Sequence, residues 1–149
     1  SSKMLFSFPQ KAEAPSYLSV SAQYIAATVM DNNSIKLYHR LSASVTTRQL
    51  SGLKVIYNIL FLLDGCLLVT GHDYVKHTIN KYSILSEEEP VLIWSCEEVA
   101  QAYGVAVDER GLIYVSGLQN KKIYILNNEG FYMLIKNVEK LFFLINTTH

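Results

Sequence analysis

The chain has 149 residues, of which 50% are hydrophobic and 17% are charged, and its acidic and basic side chains balance to a formal net charge of zero. This composition excludes a disordered chain. The neutral total argues against a function dominated by electrostatic attraction to nucleic acid or to an anionic membrane. Ten tyrosines and six phenylalanines, with many β-branched residues, favour strands.

The two cysteines and the lack of a targeting segment bear on location. Cys66 and Cys96 lie 30 residues apart and form neither a disulfide framework nor a zinc-binding pattern. A reducing, cytoplasmic compartment is therefore expected. No apolar run approaches the ~20 residues that a membrane helix requires. Residues 1–8 also lack the layout of a signal peptide, so we expect no membrane contact.

Three segments of the chain align as copies of one repeat. Each has an apolar strand that ends in Thr or Ser, a polar loop, and a second strand that opens near an isoleucine. The equivalent isoleucines, Ile35, Ile79 and Ile123, fall 44 residues apart each time. A period in the mid-forties with four strand-like pieces is typical of a β-propeller blade. The copies are 23–37, 65–81 and 111–125.

The strands predicted in chain order build one partial propeller domain over residues 1–149. Residues 1–16 are interpreted as the end of a preceding blade, with a strand at 4–8, or as a leader. A first blade, 17–50, has strands at 17–20, 24–28, 35–39 and 45–50. A second, 55–96, has strands at 56–63, 66–70, 75–85 and 91–95. A third, 103–135, has strands at 103–107, 112–116, 122–126 and 131–135, and residues 138–149 begin a further blade or form a truncated end.

The sequence thus predicts an all-β fold, a β-propeller segment of about three four-stranded antiparallel blades. Asp64 and Asp108 stand at the first turn of two successive blades, and each turn contains a glycine, Gly65 or Gly111. They look like paired carboxylates for acid–base catalysis, but their position favours capping of the turn backbone. The acidic run Glu87–Glu89 before Pro90 is interpreted as a solvated loop without a catalytic role.

The third copy carries the phrases Tyr103-Gly-Val-Ala-Val-Asp108, Gly111-Leu-Ile-Tyr-Val-Ser116 and Lys122-Ile-Tyr-Ile-Leu126. These resemble the NHL repeat, whose usual phrases are GIAVD, a glycine turn, IYVAD and a basic residue before the third strand. The match is good over 103–135, moderate over 61–95 and weak over 20–50. Gly71 and Gly117 stand where the usual repeat has Asp.

The NHL resemblance implies a six-bladed ring, of which this chain would supply about half. It also implies a likeness to the carboxy-terminal propellers of tripartite-motif ubiquitin ligases. The expected function is therefore a protein-interaction platform that selects substrates for a ligase whose zinc domains lie outside this chain. On this interpretation the chain is not itself an enzyme and needs no cofactor. Because half a ring exposes strand edges, we expect it to join further blades or to self-associate.

Loops on one rim of the predicted propeller are the candidate binding site, because recognition usually lies on exposed loops of a rigid scaffold. The loops between second and third strands gather there with the connections between blades, such as 97–102. Trp94 and Tyr103 are candidate aromatic anchors, although packing between blades is the favoured interpretation of both. The candidate rim residues are Asp31, Asn32, Asn33, His72, Asp73, Gln119, Asn120 and Lys121.

Metal binding and lactonase-like hydrolysis are two other functions that particular residues suggest. His72, Asp73 and His77 are the one tempting metal cluster, but an odd separation would place the two histidines on opposite sides of one extended strand. We therefore assign no metal ligand and no catalytic residue. A lactonase-like hydrolase would need carboxylates facing the channel, and no pair of acids falls on the predicted inner strands.

RNA binding is the remaining alternative. It requires basic residues interleaved with aromatics on one surface. Lys121, Lys122 and Tyr124 form a small patch of this kind, with Lys76 at the matching loop of the previous copy. The neutral net charge makes a protein the more strongly favoured partner.

Overall fold

The computed structural model describes residues 15–29 and 32–137, with side chains up to Tyr132. These residues form twelve β-strands and no helix, and so include no helix that could cross a membrane. The predicted strand at 4–8, the rim residue Asp31 and the predicted continuation at 138–149 lie outside the described residues.

The twelve strands form three four-stranded sheets, each an antiparallel meander in which sequence neighbours pair. The first sheet contains β1 (Pro15–Val20), β2 (Tyr24–Val29), β3 (Ser34–His39) and β4 (Val45–Gln49). The second contains β5 (Val55–Phe61), β6 (Leu67–His72), β7 (His77–Ser83) and β8 (Val91–Cys96). The third contains β9 (Ala102–Val107), β10 (Ile113–Gly117), β11 (Lys122–Leu126) and β12 (Tyr132–Asn137). The all-β prediction is confirmed.

Two turns show how local chemistry ends the strands. Asp64 Oδ1 accepts the backbone N–H of Cys66 at 3.0 Å, and Asp108 Oδ1 accepts that of Leu112 at 3.0 Å. The glycine in each turn, Gly65 or Gly111, has a φ of 83° or 84°, which a side chain would strain. The interpretation of both aspartates as turn caps is confirmed.

Two hydrophobic cores lie between successive sheets, and the middle sheet contributes to both. On β6, Leu67 and Val69 enter the core shared with the first sheet, while Leu68 enters the core shared with the third. All three side chains are fully buried. Because strand side chains alternate between faces, a strand covered on both faces shows an unbroken apolar run, as β6 does.

The first strands of the three sheets, β1, β5 and β9, lie side by side, with β5 between the other two. The pairing of each first strand with its neighbour is interrupted by a β-bulge: between Pro15 and Leu18 in β1, between Ile56 and Asn58 in β5, and near Tyr103 in β9. A bulge turns a side chain away from the regular alternation and often does so beside a functional site. The three bulges place three tyrosines together.

Candidate functional site

One rim of the molecule collects the loops between second and third strands and the connections between sheets. These loops touch the connections directly, which fixes their positions. The contacts are Asn33 Nδ2 to the Leu53 carbonyl at 3.1 Å, Lys54 N–H to the His72 carbonyl at 2.8 Å, Lys76 Nζ to Glu97 Oε2 at 2.8 Å, and Leu118 N–H to the Gln101 carbonyl at 3.2 Å. The predicted grouping of loops on one rim is thus present in the described residues.

An open cleft of about 280 Å³ lies at this rim beside the second sheet. We call it the rim cleft. It is lined by Tyr57, His72, Tyr74, Val75, Lys76, His77 and Gln101.

Three tyrosines converge behind the rim cleft, one from the bulge of each inner strand. The ring centroid of Tyr103 lies 5.2 Å from that of Tyr57 and 6.2 Å from that of Tyr17. The hydroxyls of Tyr17 and Tyr103 share a hydrogen bond, so residues of the first and third sheets meet directly. Aromatic contacts of this kind are worth about 0.5–1.5 kcal/mol each beyond their burial.

Tyr17 and Tyr57 remain neutral hydrogen-bonding groups at neutral pH. The hydrogen bond with Tyr103, followed by burial, raises the pKa of Tyr17 above its usual value of 10.0. Burial, followed by the nearby Tyr103, raises the pKa of Tyr57. Both phenols therefore keep their protons, and Tyr57, which lines the rim cleft, can donate to a ligand.

The Thr or Ser that ends each second strand supports a bulge. Thr28 Oγ1 accepts the N–H of Tyr17 at 2.8 Å, and Ser116 Oγ accepts the N–H of Gly104 at 2.8 Å. Thr70 Oγ1 instead donates to the Tyr103 carbonyl of the next sheet at 2.5 Å. These hydroxyls satisfy backbone groups that the bulges leave out of the ladder.

His72 and His77 form a cross-strand pair, so the prediction that they face opposite sides was wrong. Asp73 Oδ1 accepts the N–H groups of Val75 and Lys76, which lengthens the loop and delays β7 until His77. The two histidines therefore sit directly opposite each other on adjacent antiparallel strands, with ring centroids 5.4 Å apart. Directly opposite residues share a face of the sheet.

The histidine pair contacts Tyr57, whose ring stacks on His77 at 5.8 Å and lies 5.2 Å from His72. His72 Nδ1 accepts the N–H of Tyr74 at 3.1 Å, so in the neutral ring its Nε2 carries the proton and is a donor. His77 Nδ1 is buried and has no hydrogen-bond partner within the described part of the chain. No group of three His, Cys, Asp or Glu side chains suited to a metal occurs among the described residues.

The loop tip beside the rim cleft presents apolar side chains to solvent. Tyr74 is 75% exposed and Val75 is 90% exposed. The tip is held by the Asp73 carboxylate, whose pKa the backbone N–H groups of Lys76 and Val75 lower, and by contact between the Tyr74 and His72 rings at 5.1 Å. Tyr74 has a φ of 74°, a conformation costing a non-glycine residue about 1–2 kcal/mol. We call Tyr74 and Val75 the rim tip.

The other predicted rim residues have different surroundings. Asn32 Oδ1 accepts the N–H of Ser34 at 2.7 Å, and Asn33 bonds to Leu53, so both stabilise their loop. Asn120 donates to the hydroxyl of Tyr124. Gln119 and Lys121 are exposed on the loop of the third sheet. Of the predicted rim residues that the structure describes, His72 and Asp73 alone belong to the rim cleft or its supporting loop, and a binding role for any of the set stays a prediction.

Sequence reasoning did not single out Tyr17, Tyr57 or Val75, and it included Tyr74 and Gln101 only as members of predicted rim segments. A signal for two of them was present, because a tyrosine falls on the first strand of every copy, 40 and then 46 residues after the previous one. Tyr74 fell in the predicted rim loop, but Val75 was predicted as the first residue of a strand, so its exposure was not expected.

The side chains of Trp94 and Tyr124 are packed against other parts of the protein. The Trp94 indole donates to the Asn128 carbonyl at 3.0 Å and lies so close to Gly130 that a Cβ there would be 2.7 Å from the ring. Trp94 thus packs between sheets, as the sequence favoured.

Tyr124 is 5% exposed, so its ring is not available to stack on a base, and Lys76 is paired with Glu97. The basic and aromatic patch considered for RNA is therefore not assembled.

Comparison with known proteins bears on the fold. No protein-family model and no curated protein sequence matches the chain. Among solved structures, it is similar to a streptogramin B lyase, with a TM-score of 0.65 and 15% identity over 88% of this chain and 43% of that one. It is similar to a putative gluconolactonase, with a TM-score of 0.65 and 14% identity over 83% and 48%.

A third similar structure is the β-propeller domain of Cps50 (Swd1) from Myceliophteria thermophila, with a TM-score of 0.63 and 13% identity over 85% of this chain and 42% of that one. The chain spans less than half the length of each of these proteins. At such low identity the likeness shows the fold alone. The chain therefore has the fold of a β-propeller segment built of four-stranded antiparallel blades, as the sequence predicted.

Proposed function

We propose that this chain is part of a propeller that recognises a protein partner through the rim tip and the rim cleft. The observation that carries the proposal is the rim tip itself. Tyr74 and Val75 are exposed apolar side chains on a loop that Asp73 and His72 hold in one conformation. Covering such a side chain with a partner stabilises a complex by about 1.5–3 kcal/mol, and little is lost in ordering a loop that is already fixed.

The rim cleft complements the tip with polar groups. The hydroxyl of Tyr57 and the Nε2–H of His72 can donate hydrogen bonds to a partner side chain that enters the cleft. The exposed ion pair of Lys76 and Glu97 borders the cleft. An apolar centre with a polar border is the usual anatomy of a protein–protein interface.

Site-specific crosslinking tests the proposal. The photoreactive residue p-benzoylphenylalanine replaces Tyr74 in one variant and Leu85 in a matched control. Leu85 is 88% exposed in the loop that joins β7 to β8, on the opposite rim of the same sheet. We expect a discrete protein adduct from position 74 that is absent from position 85. Identical adduct patterns at both positions would contradict a specific rim site.

The partner identified in this way allows a quantitative test. Val75→Ser should weaken its binding by about tenfold, because an apolar anchor at an interface is typically worth at least ~1.4 kcal/mol. Leu85→Ser removes a similarly exposed apolar side chain from the other rim and should leave affinity unchanged. Equal effects of the two substitutions would place the interface elsewhere.

The finer form of the proposal is substrate recognition for a tripartite-motif ubiquitin ligase, in the cytoplasm. Its support is the NHL-like wording of residues 103–135 and the presence of two free cysteines. The full-length transcript tests it. Paired Cys/His zinc motifs upstream with further blades are the expected result. An extension that contains only blades with acids facing the channel would remove the ligase interpretation and make enzyme assays the next step.

RNA binding and lactonase-like hydrolysis, the two alternative functions, predict different results. RNA binding through Lys121 and Lys122 requires affinity that falls steeply as salt rises, and crosslinks from Tyr74 to RNA rather than to protein. A lactonase-like hydrolase requires metal-dependent turnover of a lactone or ester.

A further inference from the structure

The outer strand of the second sheet, β8, is an apolar strand with an open edge. It is the last strand in its sheet, and no described strand pairs with its other side. It begins Val91-Leu92-Ile93-Trp94, and the first three side chains are 58%, 38% and 50% exposed. An exposed edge of this kind offers backbone N–H and C=O groups to an added strand.

The corresponding strand of the first sheet shows what a protected edge looks like. β4 has the sequence Val45-Thr-Thr-Arg-Gln49, so polar or charged side chains follow its single valine. Proteins commonly blunt their edges in this way. The apolar run of β8 departs from that pattern. A bulge at Ile93, opposite Lys81 and Tyr82, adds twist to β8 but does not cover its edge.

A groove runs beside the carboxyl half of β8, between the second and third sheets. Its volume is about 540 Å³. Phe131 and Tyr132 form an apolar part of its wall, and they are 68% and 49% exposed. The groove gives the side chains of an added strand a surface to contact. Its other lining residues are Lys76, Ser95, Cys96, Glu97, Glu98 and Gly130.

Acidic residues flank β8 at both ends, with Glu87–Glu89 before it and Glu97 and Glu98 after it. Glu97 pairs with Lys76, and Glu89 accepts the N–H of Gln49. Within the described residues no cation forms an ion pair with Glu87, Glu88 or Glu98. Arg48 donates to the backbone carbonyls of Ser86 and Glu88, so one cation offsets part of the charge of the three acids before β8. Net negative charge is therefore available at both ends of the open edge.

The charges decide between two occupants of this edge. If β8 paired with β8 of a second copy, in either direction, the acidic ends of one strand would meet acidic ends of the other. Like charges directly opposite destabilise a strand pair. A segment with basic residues at its ends would instead gain attraction at both ends.

We propose that β8 is a docking edge for an extended segment of a partner protein, with alternating apolar residues between flanking Lys or Arg residues, which adds as a further strand of the sheet. The flanking acids select the charge of the segment, and Val91, Leu92 and Ile93 contact its apolar side chains. This site centres on the outer edge strand β8, and its groove shares only Lys76 with the lining of the rim cleft. It does not depend on the rim function.

A designed peptide tests the proposal directly. The probe is a fluorescein-labelled peptide KKVTITVTVKK, and its control is EEVTITVTVEE, which keeps the strand propensity and reverses the end charges. With the full chain, fluorescence anisotropy should show saturable binding of the basic probe that weakens as salt rises, and binding of the acidic control at least about tenfold weaker. Equal binding of the two peptides would overturn recognition by the flanking acids.

Two further measurements locate the binding. Val91→Lys should weaken the basic probe by about tenfold, while Val45→Lys, at the equivalent first position of β4, should not, and neither should Val75→Ser at the rim tip. Should Val91→Lys fail to fold, a probe N-methylated at every residue of its VTITVTV segment tests the unmodified chain. It should bind at least about tenfold less, because none of the amides in that segment can donate to the β8 edge.

Several results would overturn the proposal. An effect of Val45→Lys as large as that of Val91→Lys would show that the probe does not use β8. Undiminished binding of the N-methylated probe would exclude strand addition. If light scattering showed a dimer that Val91→Lys dissociates, and the basic probe did not bind, the edge would serve a second copy of this chain.

Discussion

Substitution of Gly71 by alanine tests the arrangement that creates the rim cleft. Gly71 lies on β6 opposite the bulge of β5, next to His72 in the sequence. A Cβ at Gly71 would lie 2.2 Å from the carbonyl oxygen of Val55 and 3.2 Å from its carbonyl carbon. The obstacle is backbone, so it cannot rotate away as a side chain would. The structure thus gives a reason for glycine at a position where the NHL repeat usually has Asp.

The size of the effect follows from this distance. The oxygen and the new methyl group would need to separate by about 1 Å to reach ordinary contact, which would displace β5 and its ladder bonds. Overpacking typically costs about 1–3 kcal/mol, and we expect Gly71→Ala to reach about 3 kcal/mol because backbone must move. Gly65→Ala is the matched control. Nothing lies within 4 Å of its Cβ position, so it should cost about 1 kcal/mol through its positive φ alone.

Urea unfolding followed by the fluorescence of Trp94, the single tryptophan, measures both free energies. The expected order is wild type, then Gly65→Ala, then Gly71→Ala as the least stable. If Gly71→Ala were as stable as Gly65→Ala or more so, β5 would not approach β6 as closely as described. The bulge that positions Tyr57 would then need a different register.

Two further predictions concern the ionisable side chains of Asp64 and Tyr82. Asp64→Asn should destabilise the fold by about 1–2 kcal/mol in urea unfolding, because the buried Lys81 Nζ would lose its ion pair with Asp64 Oδ2, 2.7 Å away. The Asp64 side chain is 40% exposed, so solvent screens the ion pair and limits the loss. Burial opposes ionisation of Asp64, but hydrogen bonding to Lys81 lowers its pKa below 3.8. The contribution of Asp64 to stability should therefore be complete above pH 3.8 and disappear as the pH falls through the lower pKa of the folded state. The Asn variant should lack this dependence on pH. Burial raises the pKa of Tyr82 to about 12, so its contribution to stability should be complete below pH 10 and fall as the pH rises towards 12. Tyr82→Phe should make the alkaline loss of stability in pH-dependent melting shallower, the remainder coming from other tyrosines of raised pKa such as Tyr57, and an unchanged slope would contradict the assignment.

The sequence predicted the blades well because its signals were local. The Asp-Gly turn at Asp64 and the Asp108 turn that closes at Gly111 end strands through bonds within a few residues, and both turns were placed correctly, although β5 ends at Phe61 and not at residue 63. The error at His72 and His77 also has a local origin. Starting β7 at residue 75 overlooked the two N–H groups that Asp73 binds. The prediction therefore placed the two histidines on opposite faces, whereas they share one.

The sequence alone determined that the chain is all-β and that its strands group in fours, because alternation, turn residues and a period of 44 residues are properties of adjacent positions. Tertiary structure alone decided that Tyr17, Tyr57 and Tyr103 meet, that two histidines share a face, and that Tyr74 and Val75 stand in solvent. These facts depend on bulges and on packing between blades. Such contacts join residues as many as 86 positions apart, and periodicity along the chain does not contain that information.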